Sequence, residues 1–125
     1  MKTNIYDQHS EHTEWLKKLN FYADEMTIMQ KRLEDISSKN SGEEVRKEIE
    51  HFQNQIIIQN RFVNDMKKTI KLDEKVIMAN INQNPVASDH RKAEDHSEER
   101  TQIESFETNF AGLRKEFNLF LSKRS

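Results

Sequence analysis

At 125 residues, with 34% charged and 34% hydrophobic positions, the chain is more polar than an average globular domain, where apolar residues run at roughly 45–50%. Its 20 basic and 22 acidic residues leave a net charge of only -2, which argues against a disordered chain of high net charge and against nonspecific nucleic-acid binding. Two glycines and one proline are too few for the turns of an all-β protein, and the lack of cysteine excludes disulfides, thiolate chemistry and cysteine-based zinc sites.

The first predicted helix, over about 7–38, is the clearest. Trp15, Leu19, Tyr22, Met26, Met29, Leu33 and Ile36 step by four and three. That is the a/d spacing of a helix packing at a shallow angle against its neighbours, whereas a strand would alternate at every second residue. The stripe ends at Ser37-Ser38-Lys39-Asn40. Ser41-Gly42-Glu43-Glu44 then reads as a capping box, with Ser41 as N-cap and the Glu44 carboxylate reaching back to it. A turn this short makes the flanking helices antiparallel neighbours.

The second helix, over about 42–82, carries Val45, Ile49, Phe52, Ile56, Val63, Met66, Ile70 and Ile77 on one heptad frame. Asn82-Gln83-Asn84-Pro85 stops it, because proline lacks the N–H and disfavours helix at the preceding residue. The third helix is expected over about 88–123, capped by Ser88 or Asp89. Its second half repeats the spacing through Ile103, Phe106, Phe110, Leu113, Phe117 and Phe120, while Asp89 to Gln102 offers no large apolar residue. The expected fold is therefore all-α: one domain of three long antiparallel helices in an up-down-up, coiled-coil-like bundle.

Folding the helices back brings particular residues level. Tyr22 and Gln59 are equidistant from the first turn on core-type positions, which predicts a buried polar pair. His9, His12, Asp73, His96 and Glu99 are predicted to converge at the opposite end of the bundle. Imidazole and carboxylate together suit Zn, Fe, Ni or Mn, and helical bundles build metal sites from facing helices. Glu48 to His51 has the E-x-x-H spacing of ferritin-like di-iron bundles, but that pattern needs two such motifs and two further inward glutamates. One motif, with Phe52 rather than His51 on the apolar stripe, carries over no function.

A second apolar line runs beside the main stripe of the second helix through Ile58, Phe62, Leu72 and Val76, and Phe21 and Ile28 sit outside the frame of the first. The polar segments 1–14 and 86–100 supply little apolar cover for it. A homodimer, or a helix from another protein, is the expected partner.

No Gly-rich phosphate loop, G-x-S-x-G or H-E-x-x-H is present, so an enzyme is not the favoured class. No run reaches the roughly 18 apolar residues of a membrane span, and the N-terminus lacks an apolar signal-peptide core. A cytoplasmic location is expected, without membrane or nucleic-acid partners. The leading reading is a non-enzymatic, self-associating interaction or scaffold protein. The alternative is a metal-binding bundle centred on His12, Asp73 and His96, the divalent metal being its only implied cofactor.

Overall fold

A computed structural model of the chain describes the backbone of residues 5–80 and 85–124, and the side chains of residues 6–79 and 96–124. Three helices follow one another: α1 (Ile5–Lys39), α2 (Glu43–Asn80) and α3 (Pro85–Arg124). They hold 35, 38 and 40 residues, so each is about 50–60 Å long at ~1.5 Å per residue. The expected all-α bundle is what the chain forms, with no strand among the described residues. Nor is any helix among them long and apolar enough to cross a membrane.

Two helix starts differ from expectation. The N–H of Arg46 donates to the carbonyl of Gly42 at 3.1 Å, so Gly42 and not Ser41 is the N-cap of α2. The predicted Ser41–Glu44 box is therefore out of register by one residue. Glu43 and Glu44 instead place negative charge in the first turn, where the helix dipole favours it. Likewise α3 already runs at Pro85, ahead of Ser88 and Asp89. Proline suits a first turn because its missing N–H would have no intrahelical partner there. The predicted end of the second helix, at 81–82, lies outside the described residues. At the other end of the first turn, the Asn40 side-chain amide donates to the Ile36 carbonyl at 3.0 Å and closes α1.

Side-chain pairs fix how the helices run. His12 on α1 meets Glu74 near the end of α2, and Glu48 near the start of α2 meets Arg124 at the end of α3. So α2 is antiparallel to both neighbours, and α1 and α3 run in the same direction. Three ion pairs set the register of that parallel pair: Glu11–Arg100, Lys18–Glu107 and Glu25–Arg114. They recur one heptad apart on both helices, and the middle pair is reversed in sign. A slip of one heptad would set Glu11 against Glu107 and Lys18 against Arg114, so like charges oppose the wrong register.

The three stripes bury one continuous apolar cluster from Trp15 to Phe120. Phe110 is fully buried and holds Tyr22 edge-on at 4.8 Å, while Phe52 meets Phe117 edge-on at 5.3 Å. Tyr22 does not donate to Gln59 as predicted. Its one hydroxyl proton goes to Glu107 Oε2 on α3 at 3.1 Å. Gln59 faces the groove between α2 and α3, beside Phe62 and Asn109. Equal distance from a turn does not say which helix a side chain faces, and it is α3 rather than α2 that meets the tyrosine hydroxyl.

The second apolar line is divided by the packing. Phe62 is half-buried, stacked on Phe106 at 4.9 Å, and belongs to the flank of the core. Phe21, Ile28, Ile58, Leu72 and Val76 are exposed.

Candidate metal centre

At the end of the bundle away from the Gly42 turn, the heptad frames continue but their residues change character. On α1 the stripe runs back from Leu19 through Trp15 to His12 and Gln8. On α3 it runs back from Ile103 through Glu99 to His96, and on α2 Asp73 sits between Ile70 and Ile77. The same periodicity that buries leucine and phenylalanine elsewhere here buries imidazoles and a carboxyl. His12, His96 and Glu99 are 1%, 2% and 7% exposed, as enclosed as the apolar core. Such burial of polar groups is costly unless each finds a partner.

Half of each histidine is partnered. His12 Nδ1 lies 2.6 Å from Glu74 Oε1, and His96 Nε2 lies 2.8 Å from Glu11 Oε1. A carboxylate only accepts, so each of those ring nitrogens carries the proton. The remaining atoms, His12 Nε2, His96 Nδ1 and Glu99 Oε2, are buried and make no hydrogen bond among the described residues. His12 Nε2 and Glu99 Oε2 are 3.7 Å apart, too long for a hydrogen bond. One ligand atom from each of the three residues lies within 4.8 Å of the other two. In a tetrahedral zinc site with bonds near 2.05 Å the ligand atoms stand about 3.4 Å apart, so small rotations would close this set around an ion.

The carboxylates outside the cluster are themselves held. Arg100 grips Glu11 through Nε at 3.0 Å and through Nη2, and this contact chiefly holds the Glu11 carboxyl down at about 2. Glu74 is shared, its Oε2 lying 2.6 Å from His9 Nδ1. Trp15 covers the site on the core side, stacked on His96 at 4.6 Å and tilted 5.6 Å from His12.

Electrostatics separate the three inner groups. Burial pushes the Glu99 carboxyl up to about 7; the His12 ring pulls it down and the neighbouring Asp73 carboxyl pushes it up. Burial disfavours the His12 imidazolium, but the Glu99 and Glu74 carboxylates outweigh it and the net shift is upward. For His96 burial prevails over the pull of Glu11, and its pKa falls.

Of the five residues predicted to converge, the structure brings His12, His96 and Glu99 together, with Asp73 against Glu99. His9 stands one step out, largely exposed, on the far oxygen of Glu74. The E-x-x-H segment makes no such cluster: His51 pairs with Glu116 at an exposed position and Glu48 with Arg124. Sequence reading missed Glu11, Glu74 and Arg100. For Glu11 and Arg100 a signal existed, since each repeats two heptads later as Glu25 and Arg114. Glu74 carried none, because an acid beside a core acid reads as solvated.

Comparison with known protein families, characterised proteins and solved structures finds no match, so the site is read from its own geometry.

Proposed function

We propose that this helical bundle binds a divalent transition-metal ion between His12 Nε2, His96 Nδ1 and the Glu99 carboxylate, with Asp73, itself hydrogen-bonded to Glu99, beside the ligand set. The observation that carries the reading is the convergence of two buried histidines and a buried glutamate, each with one side-chain atom that lacks a hydrogen bond among the described residues, the rings' other nitrogens being held by carboxylates. The arrangement of carboxylate, histidine and ligand atom is how metal-binding imidazoles are oriented and made more basic. Two imidazoles with one or two carboxylates suit Zn, Fe, Ni or Mn.

The competing explanation is a polar layer that only sets helix pairing, and it predicts stability indifferent to ions. Elemental analysis of protein purified without chelator, followed by titration with Zn(II) or Co(II), separates the two. We expect one equivalent per chain, lost in His12→Ala and Glu99→Gln. Absence of stoichiometric Zn, Fe, Ni or Mn, before and after titration, sinks the proposal.

A second reading, self-association through α2, is supported by Leu72, 61% exposed, and Val76, 40% exposed, one turn apart on one face. It concerns a different surface and is compatible with the metal centre. The scaffold role first suggested by the sequence would be carried by this surface.

A further inference from the structure

We infer that Glu11 and Arg100 form a positioning clamp that compels His96 to present Nδ1, and not Nε2, to the ion. The inference rests on the metal-centre reading above and adds to it two residues that touch no ion.

The geometry runs outward from the ring. His96 Nε2–H donates to Glu11 Oε1 at 2.8 Å. Glu11 Oε2 accepts from Arg100 Nε at 3.0 Å, and Arg100 Nη2 reaches Oε1. A planar guanidinium gripping both oxygens fixes the plane of the carboxylate as well as its place. A carboxylate so placed accepts the ring proton at Nε2 and leaves the Nδ1 lone pair bare. Trp15, stacked 4.6 Å from the ring at 25°, resists rotation to the alternative face. His12 differs. Its Nδ1 is taken by Glu74, whose second oxygen goes to the exposed His9, and no guanidinium among the described residues locks that arm.

The simpler role for Glu11–Arg100 is register, since it is one of the three heptad-spaced pairs of Lys or Arg with Glu along the α1–α3 seam. Glu25–Arg114 serves as the internal control. It repeats the contact two heptads on, with Arg114 Nε to Glu25 Oε2 at 3.0 Å, and no histidine among the described residues shares its carboxylate. If register were the whole role, the two pairs would be interchangeable in their effects.

The test compares Glu11→Ala, Arg100→Gln and Arg100→Lys with Glu25→Ala and the unsubstituted protein. Co(II) affinity is measured by visible absorbance, and imidazole tautomers by 15N chemical shifts of the metal-free protein. Losing an outer partner of a metal-bound histidine weakens affinity about 10–100-fold, which is the expectation for Glu11→Ala and Arg100→Gln. Arg100→Lys keeps the charge without the fork and should fall between. Glu25→Ala should bind as the unsubstituted protein does. His96 should carry its proton on Nε2, and that preference should weaken in Glu11→Ala. Arg100→Gln alters a half-exposed side chain, so it keeps the test open if Glu11→Ala misfolds.

The clamp is overturned if Glu11→Ala and Arg100→Gln bind Co(II) as tightly as Glu25→Ala, or if metal-free His96 carries its proton on Nδ1. If the unsubstituted protein takes up no ion, the metal centre itself falls, and the clamp with it. The two failures are told apart by whether the unsubstituted protein binds.

Discussion

His12 and His96 pack against each other from α1 and α3 with ring centroids 5.0 Å apart, each with one nitrogen on a carboxylate and the other buried without a hydrogen bond among the described residues. A buried polar atom without a hydrogen bond costs about 1–3 kcal/mol. An ion held by His12, His96 and Glu99 would recover this cost for three atoms at once. Saturation at about a hundred times Kd should add about 2.7 kcal/mol of stability. For a chain of this size that is a rise in Tm on the order of 10 °C. Trp15, the only tryptophan, stacks on His96 and makes the same event visible. Its fluorescence should be quenched by paramagnetic Co(II) or Ni(II) and much less by Zn(II), with the quenching lost in His96→Ala. Equal quenching in that variant would place the ion elsewhere.

The stability of the metal-free protein should fall as pH rises through the range in which Glu99 and then His12 lose their protons, from 4.5 to about 7 for Glu99 and upward from 6.5 for His12. Burial raises the folded pKa of Glu99 from 4.5 to about 7, so the folded state holds a proton that the unfolded chain has released between those values. Stability then declines with pH across that window. His12, raised above 6.5 against the cost of burial by its two carboxylates, acts with the same sign from there upward. His96 is lowered by burial and acts oppositely, but only below 6.5. Glu11, held at about 2 mainly by Arg100, contributes stability that is lost only as pH falls below 4.5. Bound metal reverses the trend, because its ligands must be deprotonated. Thermal midpoints at about pH 6.5 and 8, with and without Zn(II), should show a larger metal-induced gain at the higher pH. A gain that shrinks with pH would contradict this assignment of protons.

Periodicity carried the fold. The stripes of Trp15 to Ile36, Val45 to Ile77 and Ile103 to Phe120 are buried where their spacing puts them, because a regular helix converts sequence interval into angle. It also carried part of the site, since His12, His96 and Glu99 lie on those frames extended into polar sequence. Three things were not legible. The partner of Tyr22 depended on which helix flanks it, and sequence gives height along a bundle without the order of helices around it. The carboxylates that hold the histidines lie off the core frame, on flanking positions that look like any charged surface. The α2 cap shifted by one residue because the glycine beside Ser41 needs no side chain to start a helix.

Phe110 and Arg114 offer a contrast between burial and surface charge. Phe110 is 0% exposed and its ring packs against Tyr22 and Phe106. Phe110→Ala should destabilise by about 3–5 kcal/mol through lost burial and the remaining cavity. Arg114 makes a two-pronged pair with Glu25 and lies 5.2 Å from the centre of the Phe110 ring, yet its side chain is 41% exposed. Solvent and salt screen such a pair, so Arg114→Gln should cost no more than about 1 kcal/mol. Urea denaturation of both variants provides the comparison. Equal losses would mean that charge at the α1–α3 seam, rather than the aromatic cluster, dominates the stability of the bundle.

The exposed face of α2 makes a separate prediction about assembly. Leu72 and Val76 lie one turn apart and both reach solvent, while Asp65 and Thr69 interrupt the line between them and Ile58. The apolar face is thus concentrated in the last turns of α2, next to the metal centre rather than along the whole helix. If that face pairs with a second copy, light scattering at tens of micromolar should give twice the chain mass. Leu72→Glu should then return the mass to one chain while helicity is retained, because Leu72 is exposed and belongs to no buried cluster among the described residues. Burying an uncompensated carboxylate in an apolar interface is unfavourable by several kcal/mol, enough to dissociate a modest dimer. The same variant should keep its Co(II) affinity, since neither Leu72 nor Val76 belongs to the ligand set. A mass of one chain for the unsubstituted protein removes the dimer and leaves the metal centre untouched, whereas loss of both properties in Leu72→Glu would mean that the end of the bundle is ordered by association.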